Sequence, residues 1–162
     1  MSDVTVTAMP PLGMVTLRGT PTVLAKAVET VTECALPSQR MAEISGDCAV
    51  LWMSPDEFLV TCPYDAAGGI ADRLEVALAG EHATVAVVSD ARATFVVTGD
   101  GSERVLAKLM PVDFAAMAAR EVRRTRMAQV PAAIWRAGDG WRVVCFRSVA
   151  AYAQGLLENA AA

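Results

Sequence analysis

The sequence repeats itself at a spacing of about half its length. Residues 51–62 (LWMSPDEFLVTC) align with residues 134–145 (IWRAGDGWRVVC) at a constant offset of 83 and without a gap. The matched pairs are Trp52 with Trp135, Asp56 with Asp139, Phe58 with Trp141, Val60 with Val143 and Cys62 with Cys145. Upstream, the tetrapeptide VLAK at residues 23–26 recurs at residues 105–108. A collinear repeat of this kind predicts two copies of one supersecondary unit.

Hydrophobic periodicity predicts the same order of elements in both copies. The first copy reads as a strand at 13–19, a helix at 21–33, strands at 41–46, 49–53 and 57–62, a helix at 66–78 and a closing strand at 84–89. The second reads as a strand at 93–99, a helix at 102–109, strands at 124–130, 132–137 and 141–146, and a helix at 149–159. We expect Pro131 to separate the first two strands of that last group, because proline lacks a backbone donor.

These elements predict an α+β fold made of two pseudo-repeated β-α-β-β-β-α halves. Each half is an antiparallel sheet with helices on one face. We expect residues 1–12 to form an N-terminal extension, 13–91 the first half and 92–162 the second. The two halves are expected to be related by a pseudo-twofold axis and to pack as one unit.

A glycine-rich turn between a strand and a helix raises the question of nucleotide binding. The stretch Gly99-Asp100-Gly101 has the layout of a phosphate loop. A dinucleotide fingerprint needs a third glycine where Arg104 stands, and a Walker loop needs Gly-Lys-Ser/Thr, which is missing. We expect a helix cap instead, with Asp100 or Ser102 accepting from first-turn amides and Glu103 completing a capping box. The corresponding turn in the first half would use Thr20 and Pro21.

Composition and charge argue against several classes of protein. The formal net charge is −4, which disfavours nucleic-acid binding, including a tRNA-binding domain. No 18-residue apolar run and no signal segment are present, so a cytoplasmic location is expected. The four cysteines form no CxxC pair and His82 is the single histidine, which disfavours a zinc site. We expect His82 at the surface and the cysteines buried as small apolar residues.

The candidate site residues are three arginines and a tryptophan. Arg124 and Arg126 alternate on a strand and so share one face, while Arg92 lies elsewhere in the sequence, as does Arg147. Arginine pairs of this kind bind an acidic partner or a ligand carboxylate, or form a solvated face paired with nearby acids. Trp52, like the other two tryptophans, is expected in the core or at an interface.

No set of residues has the types and spacing that catalysis needs. Asp56 and Glu57 are neighbours at a strand entrance, so we expect them to point to opposite faces and to share no substrate. The sequence thus favours a non-catalytic subunit or a binding module.

Three stretches together resemble one family, the gamma subunits of heterotetrameric sarcosine oxidase. They are LWMSPDEFLV (51–60), VVSDARATFVVTGDGSERVLAKLMPVDF (87–114) and RRTRMAQVPAAIWRAGDGWRVVCFRSVAAYAQGLL (123–157). The family's Trp-x-Gly-Pro-Asp-Glu-Trp turn stands here as Trp52 to Phe58, and its Ser-His-Arg segment as Ser89 to Arg92 without the histidine. Its arginine-threonine strand matches Arg124 to Pro131. The resemblance extends over residues 13–158.

The resemblance implies a fold similar to the folate-binding domains of the glycine-cleavage T-protein and of a tRNA-modifying GTPase. It implies a non-catalytic gamma subunit in a complex that oxidatively demethylates sarcosine. It also implies that FAD, FMN, NAD and tetrahydrofolate belong to the large alpha and beta subunits, zinc belongs to the small delta subunit, and this chain holds no cofactor. The isolated chain would then expose apolar surface and is expected to self-associate.

Two alternatives stay open. One is an independent folate- or carboxylate-binding module, with the acid held by Arg92, Arg124 or Arg126 in a cleft between the halves. The other follows from the departures at Ser54, Phe58 and Ala91: the chain would be the small subunit of a related N-methyl amino acid dehydrogenase complex.

Overall fold

The computed structural model describes residues 3–162 and divides them into two units. The first unit is Leu12–Ser89, and the second is Asp90–Ala162 together with residues 3–11. The boundary therefore falls two residues before the expected one. The segment expected as an N-terminal extension contributes a strand to the second unit. None of the helices in the described residues is long and apolar enough to cross a membrane.

The first unit is a five-stranded antiparallel sheet with two helices. Its strands are β2 (Gly13–Arg18), β3 (Ala42–Ser45), β4 (Cys48–Ser54), β5 (Glu57–Cys62) and β6 (Thr84–Val87), and its helices are α1 (Pro21–Thr32) and α2 (Ala67–Ala77). The strands lie in the order β3-β4-β5-β2-β6. The two helices contribute Leu24, Val28, Ile70 and Leu74 to one core with Val15, Leu17, Phe58 and Val60 of the sheet.

The second unit repeats this architecture. Its strands are β1 (Thr5–Ala8), β7 (Arg92–Thr98), β8 (Val122–Met127), β9 (Val130–Ala137) and β10 (Gly140–Phe146), and its helices are α3 (Ser102–Ala107) and α4 (Ala150–Ala161). The strands lie in the order β1-β7-β10-β9-β8. Leu106 and Leu157 fill its core at the positions that Leu24 and Leu74 fill in the first unit, and all four are completely buried.

Strand β1 completes the second sheet from the opposite end of the chain. In the first unit the edge position beside β2 is taken by β6, which follows α2 in sequence. In the second unit the equivalent edge, beside β7, is taken by β1, which precedes the first unit in sequence. Residues Thr5–Ala8 pair there with Phe95–Thr98 of β7, and Val4 and Val6 pack against the second core.

A β-bulge changes how the two copies correspond. In the first unit the β4–β5 register shifts between Trp52 and Ser54, so Trp52 lies opposite Phe58. In the second unit Arg136, not Trp135, lies opposite Trp141. The ungapped match of Trp52 with Trp135 is therefore wrong in the structure. One extra residue in a strand moves every side chain before it to the opposite face of the sheet, compared with the strand that has no bulge. Trp52 therefore packs on the helix side of the first sheet, whereas Trp135 lies on the face of the second sheet that points away from its helices.

The expected side-chain caps are also wrong. Thr20 stands at the N-cap of α1 and Pro21 at its first position, but the Thr20 hydroxyl lies 3.2 Å from that of Thr22 and caps no amide. Helix α3 begins after Gly101, whose carbonyl accepts from the Val105 amide at 3.0 Å. Glu103 is not a capping partner, because its carboxylate pairs with Arg136.

Pro131 lies inside β9 instead of separating two strands. The turn is Ala128–Gln129, where Ala128 has a φ of 50° and its amide donates to Leu109. Pro131 lies opposite Arg126 and one residue before the ladder with β10 begins at Ala132. A proline is tolerated at that end position because the ladder with β10 needs no donor from it.

The Gly99 position provides a test of the β1 contact. Gly99 has a φ of 102°, and a Cβ added there would overlap the Asp3 carbonyl oxygen. We expect Gly99→Ala to cost about 2–3 kcal/mol of unfolding free energy, from strain and the displaced strand. In the matched control Gly155→Ala the new methyl meets open space on α4 and should stabilise by about 0.5–1 kcal/mol. Urea unfolding measures both, and equal effects would contradict the β1–Gly99 contact.

The buried thiol of Cys62 leads to a second prediction, on how the stability of the protein depends on pH. Cys62 is 1% exposed, and burial raises its pKa to about 11. The unfolded chain loses this proton at a pKa of about 8.5, so the stabilisation that Cys62 gives is complete below that pH and is lost as pH rises towards 11. The destabilisation caused by Cys62→Ala should therefore be largest near neutral pH and shrink in alkali. Urea midpoints of both proteins across that range measure it, and a constant difference would contradict the burial.

Candidate functional site

Three of the four candidate site residues lie on one face of the second sheet. Arg126 lies opposite Pro131, and Phe146 lies opposite Arg92. Pro131 and Phe146 are adjacent, one position beyond the last β9–β10 pair, so the four residues form a row across the sheet. Arg124 lies two residues along β8, on the same face. We call these five residues the arginine face: Arg92, Phe146, Pro131, Arg126 and Arg124.

Arg92 is held in place by two contacts. Its guanidinium carbon lies 4.2 Å from the centre of the Phe146 ring, a cation–π distance. Its backbone carbonyl accepts from Arg147 Nη2 at 2.7 Å, while Arg147 Nε donates to the Asp90 carbonyl at 2.7 Å. Arg147 thus fixes the backbone where β7 begins, and Phe146 fixes the direction of the Arg92 side chain.

A cleft of about 240 Å³ opens beside this clamp, within the second unit. Its polar lining is Arg92, Arg147, Thr94 and Gln154, and its apolar lining includes Met9 and Phe95. Two guanidinium groups at one cleft attract a carboxylate by their positive charge, although two nitrogens of Arg147 already donate to the Asp90 and Arg92 carbonyls. Among the described residues 3–162, those that line the cleft include no Cys, Ser, His, Asp, Glu or Lys side chain.

Further along the same sheet face lies an arginine that the sequence did not single out. Arg142 of β10 lies between Trp135 and Val96. Its Nε is buried without a hydrogen-bond partner among residues 3–162, and burial lowers its pKa. Phe146 and Arg147, which follow Cys145 directly, were likewise not identified as site residues. Only the strand register, which sets Phe146 opposite Arg92, could have placed them there.

Trp52, the fourth candidate, belongs to the first unit. It is half-buried and packs against that unit's helix-side core, whereas the three arginines belong to the second unit. Trp135 and Trp141 are buried, and Trp141 meets Phe114 edge-to-face with ring centres 5.0 Å apart. Removing a buried tryptophan such as Trp141 typically costs about 3–5 kcal/mol, which makes it a stability residue.

The expectation that Asp56 and Glu57 point apart is wrong. Both carboxylates reach Arg18 of β2: Nη1 lies 3.4 Å from Asp56 and Nη2 lies 2.9 Å from Glu57. Asp56 belongs to the turn before β5, so strand alternation does not govern its direction. The pair fixes the hairpin to β2.

The segment Ser89–Arg92 also has structural contacts. Ser89 is buried in the first unit, where its hydroxyl accepts from the Met14 amide at 2.9 Å. Asp90 and Arg92 belong to the second unit and supply the carbonyls that Arg147 binds. The serine and the arginine of this segment therefore anchor strand ends.

The remaining candidates for chemistry are poorly suited to it. His82 is exposed, while Cys62 and Cys145 are buried with raised pKa values, which keeps both thiols protonated and weakly nucleophilic. In residues 3–162 no three metal-ligating side chains come together.

Relatives among characterised proteins share one description. The chain is 34% identical over 112 residues to the sarcosine oxidase subunit gamma of Arthrobacter sp, covering 65% of this chain and 54% of that protein. It is 32% identical over 124 residues to the one from Corynebacterium sp. (strain U-96), covering 73% and 59%. The chain spans less than two thirds of the length of these relatives.

Solved structures with a similar backbone include a chain of the heterotetrameric sarcosine oxidase from Corynebacterium sp. U-96, in complex with pyrrole 2-carboxylate. The TM-score is 0.89 at 26% identity, over 98% of this chain and 83% of that one. A glycine cleavage system aminomethyltransferase T from Bartonella henselae matches with a TM-score of 0.72 at 13% identity, over 96% of this chain and 45% of that one, which shows a shared fold.

A family model completes the comparison. The model described as sarcosine oxidase, gamma subunit family, matches residues 18–162, which include both sheets apart from β1 and most of β2. Together with relatives above 30% identity that cover more than two thirds of the chain, this match shows the family. The chain belongs to the sarcosine oxidase gamma subunit family.

Proposed function

We propose that this chain is the non-catalytic gamma subunit of a heterotetrameric sarcosine oxidase. The complex would demethylate sarcosine oxidatively to glycine, releasing formaldehyde or methylene-tetrahydrofolate and hydrogen peroxide. The observation that carries the proposal is the backbone similarity to a chain of that assembly, with a TM-score of 0.89 over 98% of this chain.

The side-chain chemistry of the described residues supports a structural role. The buried thiols of Cys62 and Cys145 have raised pKa values, and Asp56 and Glu57 are engaged by Arg18. A catalyst for amine oxidation would need a redox cofactor and groups that move protons. We therefore assign the chemistry to the companion subunits.

The same proposal assigns the cofactors and the partners. The large alpha and beta subunits would carry FAD, FMN, NAD and tetrahydrofolate, and the small delta subunit would carry zinc. This chain would hold none of them and would assemble with those subunits in the cytoplasm. A small subunit of a related N-methyl amino acid dehydrogenase complex would have the same role beside a different substrate.

A second candidate function rests on the cleft beside Arg92 and Arg147. The two guanidinium groups at its wall favour a small carboxylate, and this binding would be a property of the isolated chain. Saturable binding of a folate or of a simple carboxylate to the purified chain, lost in Arg92→Ala, would support this candidate.

Purification from the native source tests the leading proposal. The tagged full chain, isolated from cells grown on sarcosine, should co-elute with two large subunits, show the yellow absorbance of bound flavin and produce hydrogen peroxide when sarcosine is added. Cells grown without sarcosine and an untagged strain are the controls. A colourless lone chain from induced cells would contradict the proposal, and activity on another N-methyl amino acid alone would redirect it to the related dehydrogenase.

A further inference from the structure

The two units carry opposite net charge. The first unit contains 10 acidic and 4 basic residues, and the second contains 8 acidic and 10 basic residues, so their formal charges are −6 and +2. Nine of the ten basic residues of the second unit are arginines, whereas the first unit contains three arginines. A concentration of positive charge in one unit of an acidic protein points to a partner of negative charge.

Part of this positive charge lies on the arginine face, beside exposed apolar surface. Arg124, Arg126 and Pro131 are exposed, and Phe146, at the centre of the row, is 45% exposed. An exposed phenylalanine between arginines has the composition of a protein interface, where aromatic residues and arginine are enriched and lysine is depleted.

One arginine of the face, Arg92, is also held in place before any partner binds. Arg92 is stacked on Phe146, and Arg147 fixes the backbone on which Arg92 stands. Immobilising a flexible arginine at an interface costs roughly 0.5–1.5 kcal/mol, and a side chain already held in place avoids most of that cost. Such preorganisation favours binding without contributing a contact of its own.

We propose that the arginine face docks an acidic segment of a companion subunit, in the complex proposed above for this chain. Carboxylates of that segment bind the forks of Arg124 and Arg126, and an apolar side chain next to them covers Pro131 and Phe146. The inference rests on the proposed function for the existence of a companion subunit, and on the geometry of the second unit for where that subunit binds.

Charge reversal in the full complex is the first test. Arg124→Glu together with Arg126→Glu should weaken retention of the companion subunits by about tenfold or more, as loss of two central arginines does at other interfaces. The matched control is Arg73→Glu together with Arg104→Glu. These two arginines are exposed on α2 and α3, and replacing them changes the net charge by the same amount. Both double variants should unfold at the wild-type temperature, which separates lost docking from lost folding.

A zero-length cross-link identifies the acidic partner directly. In the Arg126→Lys variant the new amine can be joined to a neighbouring carboxylate by a carbodiimide, which links only groups in ion-pair contact. Mass spectrometry of the complex should find this lysine joined to an Asp or Glu of a companion subunit. Arg73→Lys, treated in the same way, should give no such link.

The outcomes separate this inference from the proposed function. If the wild-type chain recruits no flavoprotein subunits, the proposed function fails. If the wild-type complex forms and Arg124→Glu/Arg126→Glu leaves it as stable as the control, the docking inference alone is overturned. Cross-links confined to this chain, or nucleic acid co-eluting with the arginine face intact and lost on charge reversal, would overturn it as well.

Discussion

The ladder between β1 and β7 is the interaction on which the second unit depends. Both copies of the repeat have a five-stranded sheet, but the edge strand that follows α2 in the first copy is replaced in the second by a strand that precedes the first copy in sequence. Residues Thr5–Ala8 supply that strand, and Val4 and Val6 cover the core beneath it. Gly99 is required because the chain before β1 passes where its Cβ would be. The glycine-rich turn that resembles a phosphate loop is thus explained by the close approach of another strand.

Much of the fold could be predicted because it follows from patterns between residues that are close in sequence. Alternation in strands and helical spacing fix the order of the elements, and the cysteine repeat marks two equivalent buried positions, Cys62 and Cys145. What failed depends on contacts distant in sequence. The β1 pairing has no local signal, and the bulge after Trp52 is invisible to an ungapped alignment. The caps failed because Glu103 finds a stronger partner in Arg136 across the fold.

The only part of the candidate site that could be predicted from the sequence is the part that lies on a single strand. Alternation placed Arg124 and Arg126 on one face of β8, and the structure agrees. Bringing Arg92 to the same face requires the register of four strands, and pairing it with Phe146 requires knowing where β10 ends. The direction of Asp56 failed for the opposite reason, because a strand rule was applied to a residue in a turn.

The origin of β1 has a consequence for how the chain folds during synthesis. Thr5 pairs with Thr98, so β1 is synthesised roughly 90 residues before its partner strand, which is about 5–20 s at usual elongation rates. The first unit needs nothing beyond Ser89 and can be complete by then. The N-terminal segment must wait unpaired, with its polar backbone edge open to other strands. The second sheet therefore cannot close until β7 has been made, after the whole of the first unit.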